Sequence, residues 1–159
     1  MNTGPGVGDI FSRQDTMAEI KRGAAMFALV AVGIGVSILL SGALSNTTDA
    51  GYVIALLMYL GSFALPPIVG FVVANGQSAR LTAPPENLRY ATAAVTGAAG
   101  TVAFILITTI LALVGLDSGA GGGGGFSTPD FGEILLPLII IAIGTAITAA
   151  GVIWAHDNL

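Results

Sequence analysis

Between Arg22 and Asp49 the chain carries no charged side chain, and the stretch Ala24 to Leu44 is almost entirely apolar. About 20 such residues are what an α-helix needs to cross a hydrocarbon layer of ~30 Å. Three further runs repeat the pattern without an Asp, Glu, Lys, Arg or His: Tyr52 to Ala74, Tyr90 to Leu116 and Ile134 to Ala155. A backbone in hydrocarbon must satisfy its own hydrogen bonds, which limits spanning segments to helices and closed barrels. Runs this long and continuous are helices, so the expected fold is all-α: a single domain of four transmembrane helices over about 24–44, 52–74, 90–116 and 134–155. Composition agrees, with 54% hydrophobic and 9% charged residues and a mean hydropathy of +0.89. In 159 residues these runs leave no room for a separate soluble module.

The basic residues set the orientation. Arg13, Lys21 and Arg22 precede the first run, Arg80 and Arg89 lie between the second and third, and the other two connections hold none. All five bases thus fall on one side of a pair of helical hairpins, which the positive-inside rule identifies as cytoplasmic. Both termini are then cytoplasmic, in a multi-pass protein of the cell membrane. Asp49, Asp117, Asp130 and Glu133 occupy the opposite loops. Tyr52, Tyr90 and Trp154 suit the membrane–water boundary.

Local signals refine the ends. Thr16 and Glu19 have the spacing of a capping box, placing the first helix start near Asp15 or Thr16, with residues 1–14 a flexible cytoplasmic lead rich in glycine. A cleaved signal peptide is the rival reading, but Asp9, Asp15 and Glu19 crowd its leading region and the apolar run exceeds the usual ~7–15 residues. Pro66 and Pro67 remove two backbone donors from the second helix and predict a kink there. Pro84, Pro85 and Glu86 suit the start of the third helix, and Pro137 is expected in the first turn of the fourth.

No motif for chemistry survives inspection. The outer connection 117–133 is Gly-rich and formally contains GxGxxG between Gly119 and Gly124, but the nucleotide fingerprint works only between a strand and a helix. A flexible tether is the reading kept. Asn46-Thr47-Thr48 matches a glycosylation acceptor, although its closeness to the membrane would hinder a transferase. One histidine, His156, without cysteines makes a poor metal site and is read as a solvated terminal residue. Nine acids and five bases are too few and too scattered for a nucleic-acid surface. No catalytic residue, cofactor or metal is expected, and the lipid bilayer is the evident partner.

Small residues recur at helix-turn spacing: Gly33, Ser37 and Ser41, then Gly70 and Ala74, then Thr96 and Gly100, then Ala146 and Ala150. Such positions let helix backbones approach closely in lipid, either within one bundle or against a second copy or another membrane protein. The two hairpins also align without gaps, pairing Gly33 with Gly100, Ile38 with Ile105, Gly70 with Gly151 and Ala74 with Ala155. Duplication of one hairpin, with a pseudo-two-fold axis along the membrane normal, is one explanation; chance matching of abundant residues is the other.

The single lysine, the Asp-bearing loops, the Ala/Gly/Val/Thr-rich helices and the Gly121 to Gly125 run resemble the small four-helix membrane proteins of salt-loving archaea. The resemblance implies the fold and no settled activity. Small multidrug exporters share only the helix count, because they keep an embedded glutamate in the first helix and Ala24 to Leu44 has none. The functional expectation is a non-enzymatic structural or accessory subunit. The alternative is a small permease or channel component acting as an oligomer, with Pro66 and Pro67 lining its path.

Overall fold

A computed structural model describes residues 7–44, 48–81, 84–117 and 131–159. Asn46 and Thr47 of the glycosylation triplet, the glycine run 121–125 and the first six residues lie outside the described residues, as does the side chain of Ser41. Every described element is an α-helix: α1 (Val7–Ser12), α2 (Gln14–Leu44), α3 (Thr48–Arg80), α4 (Glu86–Asp117) and α5 (Phe131–Asn158). Three of them, α2, α4 and α5, contain stretches long and apolar enough to cross a membrane. Each of these three helices exceeds ~20 residues, so each has a turn or more to spare beyond a hydrocarbon layer.

The spare turns change the local picture at α2. Its helix starts at Gln14, with the Met17 N–H donating to the Arg13 carbonyl at 3.1 Å. Thr16 therefore sits inside the first turn and does not cap it. Its buried hydroxyl donates to the carbonyls of Ile10 and Arg13, tying α1 to α2, while the Thr16 N–H donates to the Asp15 carboxylate at 3.0 Å. Ile10 packs with Ile20 and Leu88, so α1 covers the ends of α2 and α4. Glu19, freed from the capping role, turns elsewhere.

α3 continues through Pro66 and Pro67 without interruption, and Pro66 is fully buried. α4 opens behind Pro85, whose carbonyl accepts from the Leu88 and Arg89 N–H groups at 2.9 and 3.1 Å. α5 begins three residues before its apolar run, which moves Pro137 from the expected first turn into the second, inside the helix.

Successive helices run antiparallel along the chain and are arranged as a ring in the order α2, α4, α5, α3; among the described residues the backbones of α2 and α5 do not approach each other. The most extensive packing joins the parallel pairs α2/α4 and α3/α5 and the antiparallel pair α4/α5, while α2/α3 contact is slighter. Phe27 and Ala31 of α2, Val69 and Val73 of α3, Phe104 and Ile105 of α4 and Ile141 of α5 make the central core. Outside, large apolar side chains face away from the protein: Leu29, Ile68, Ile110, Leu136 and Ile147 are all more than half exposed. Apolar surfaces within and without mark helices solvated by lipid. The buried polar groups include Thr92, Thr96, Thr101, Thr108 and Thr145, and each hydroxyl donates to the carbonyl one turn back at 2.7–2.9 Å. Those hydroxyls are satisfied within their own helix.

Candidate functional site

The chemistry-bearing side chains gather where α2 begins and α3 ends. Glu19 lies on the inward face of α2, one turn before the apolar run, and its side chain is only 8% exposed. An isolated carboxylate buried so far would be costly, and two arginines compensate it. Arg22, one turn on, donates from Nη1 to one carboxylate oxygen, and Arg80 at the end of α3 donates from Nε to the other at 3.0 Å. The Arg80 guanidinium lies back over Gly76, where a β-carbon would stand 3.1 Å from Nη2. Glycine there gives the arginine its resting place.

Beneath the carboxylate, Gln77 is fully buried between α2, α3 and α4. Its Nε2 donates to the Glu19 backbone carbonyl at 3.3 Å and to Thr96 Oγ1 at 3.2 Å, whereas Oε1 has no partner. Gly23 lets this layer close, since a β-carbon there would collide with Thr96 Cγ2 and touch Val73 Cγ1 at 3.0 Å. A second clip joins α4 to α5: Arg89 Nη2 donates to Asp157 Oδ1 at 2.8 Å, both partners mostly buried, with Arg89 Nε unpartnered. Tyr90 donates to Glu86 one turn before it. Arg13 pairs with Asp15 in the open at 3.1 Å, a bond that makes its guanidinium hold its proton more firmly than usual. Lys21 and His156 are exposed. Among the described residues no three His, Asp or Glu side chains stand close enough to hold a metal.

The small residues singled out in the sequence divide between two environments. Gly70, Ala74, Thr96 and Gly100 are buried. A β-carbon at Gly70 would stand 2.7 Å from Thr145 Cγ2, and one at Gly100 would stand 2.6 Å from two atoms of the Phe27 ring. Ala146 and Ala150 are half-buried; Gly33 and Ser37 are exposed, and nothing lies within 4 Å of a β-carbon at Gly33. The close approach of α2 is made instead by Gly23 and Gly35, the latter against Leu111. Gly97, also unmarked by the sequence, meets the backbone of α5, with the Thr145 carbonyl oxygen 3.0 Å from a β-carbon. The aligned pairs of the two hairpins occupy unlike surroundings. Gly100 is packed while Gly33 is open, and Gly70 is packed while Gly151 is open.

Sequence reasoning missed Glu19 and Gln77. Glu19 precedes the apolar run and was assigned to capping; its i, i+3 relation to Arg22 was the available signal. Nothing local announces Arg80 or Thr96 as partners.

Fold and site together define the class: an all-helical membrane protein with a charged latch closing one end of its bundle. Comparison with protein-family models, with curated proteins and with solved structures finds no match.

Proposed function

We propose that this chain is a four-span, non-enzymatic protein of the cell membrane, with both termini cytoplasmic, that serves as a structural or accessory subunit of a membrane assembly. The likeness to small four-helix proteins of salt-loving archaea belongs to the same reading. The carrying observation is the filled bundle axis. Phe27 is fully buried and its ring occupies the notch left by Gly100, with its tip reaching toward Gly70. The interior threonines spend their hydroxyls on their own helices, so they present no row of donors to a passing solute.

A fourth span is supported by the continuous 33-residue α3, which contains the charge-free run 52–74 and packs along α5. Orientation rests on the five bases, which gather at the end where α2 and α4 start.

The permease reading draws on one observation, the partnerless Oε1 of the buried Gln77, whose Nε2 holds the Glu19 backbone carbonyl. The two readings separate in one experiment. Tagged protein extracted in mild detergent should carry a second membrane polypeptide at fixed stoichiometry, and alone in liposomes it should pass no small solute. Solute flux through the isolated protein, abolished by filling the Gln77 layer with Gln77→Leu, would replace this function with the permease.

A further inference from the structure

Glu19 brings together two cations that would otherwise repel. Each of its carboxylate oxygens takes one guanidinium, so Arg22 of α2 and Arg80 of α3 are held side by side by a single negative charge. Both arginines still reach outward: their side chains are 60% and 46% exposed, while the glutamate between them is buried. Two guanidiniums thus share one carboxylate, an excess of one positive charge. Topology alone needs bases on this side but not this clamp. Paired guanidiniums with unused N–H groups match a phosphate, which accepts several charge-assisted hydrogen bonds in a fork.

What lies below the clamp identifies the source of the phosphate. Arg22 heads a line down the exposed face of α2 through Met26, Leu29 and Gly33, at steps of four, three and four residues. From Arg22 to Gly33 the helix rises about 16 Å, the depth of one hydrocarbon leaflet. Leu29 is 70% exposed, and the open space at Gly33 leaves a shallow place on the helix surface. On α3, one or more turns before Arg80, Val72 and Ile68 are exposed as well.

We propose that Arg22 and Arg80, organised by Glu19, form a binding site for the phosphate of an anionic glycerophospholipid whose acyl chain lies along Met26, Leu29 and Gly33. The site requires only that the chain be in a bilayer and does not depend on its role there.

Native mass spectrometry of the full chain in neutral micelles, given phosphatidylglycerol and phosphatidylcholine at equal mole fraction, reads the site directly. The wild type should retain phosphatidylglycerol preferentially. Arg22→Gln should lower that retention about fivefold, the effect expected of one basic group at a membrane surface, and Arg80→Gln should do likewise. Arg13→Gln, which removes an equal charge from a pair with Asp15 away from the clamp, should leave retention unchanged. Arg22 is mostly exposed, so its variant tests the site even if Arg80→Gln fails to fold. Unchanged retention in Arg22→Gln, or an equal loss in Arg13→Gln, would overturn the proposal. Displacement of the lipid by millimolar glycerol phosphate would assign the clamp to a soluble anion and refute the lipid assignment.

Discussion

Replacing Gly100 by alanine inserts one methyl group where the Phe27 ring already lies, and the consequence can be worked from the geometry. The new carbon would stand 2.6 Å from both Cε2 and Cγ of the ring, well inside van der Waals contact. Phe27 is wholly enclosed, so the ring cannot swing into lipid; either it leaves its rotamer or α2 moves away from α4. Overpacking of this kind costs about 1–3 kcal/mol. Alanine returns roughly 0.5–1 kcal/mol of helix preference over glycine. The net loss is therefore about 0–2.5 kcal/mol, and the difference from the same substitution in open space about 1–3 kcal/mol. At Gly33 the same substitution meets open space, so only the helix preference operates and stability should stay level or rise. Reversible unfolding in mixed micelles with increasing dodecyl sulfate, followed by circular dichroism, measures both. Phe27→Leu in the Gly100→Ala background should recover part of the loss, a coupling a double-mutant cycle isolates. Equal stability of Gly100→Ala and Gly33→Ala, or an additive cycle, would refute the reasoning that Phe27 fills the Gly100 notch.

The latch should be asymmetric: Arg80→Gln removes the interhelical partner of a buried carboxylate and should cost about 1–3 kcal/mol, whereas Arg22→Gln removes the more exposed guanidinium, an i, i+3 partner within the same helix, and should cost less, about 0.5–1 kcal/mol. Unfolding in neutral micelles ranks them, and a larger loss in Arg22→Gln would invert the assignment. For the clip between α4 and α5, a cycle of Arg89→Gln with Asp157→Asn should show coupling of about 1 kcal/mol, and zero coupling would mean that the pair does not hold the helix ends. Topology is best probed with cysteine at Ser118 and at Asn87, which is exposed. In intact cells an impermeant thiol reagent should reach the first and not the second; the reverse pattern would turn the protein over in the membrane.

The helix class and the charged end were legible in the residue order because transfer into lipid is nearly a per-residue property. Ala24 to Leu44 reads as a lipid-soluble helix whatever surrounds it, and the clustering of Arg13, Lys21, Arg22, Arg80 and Arg89 needs no tertiary contact to be seen. Which face of each helix turns inward is a different kind of fact. In water an apolar stripe announces the buried side, but lipid accepts leucine as readily as the core does, so Leu29 and Phe27 look alike in the sequence although one faces out and the other is enclosed. Small residues suffer the same ambiguity: Gly33 and Gly100 occupy matching places in the two hairpins, and only helix rotation makes one a lipid-facing gap and the other the seat of a phenyl ring. Glu19 was visible as a charge, but its buried state depends on Arg80 arriving from the far end of α3 and on Gln77 reaching across to its backbone. Pairings so distant in the chain are set when the helices dock, by shape and by hydrogen bonds that no local pattern encodes.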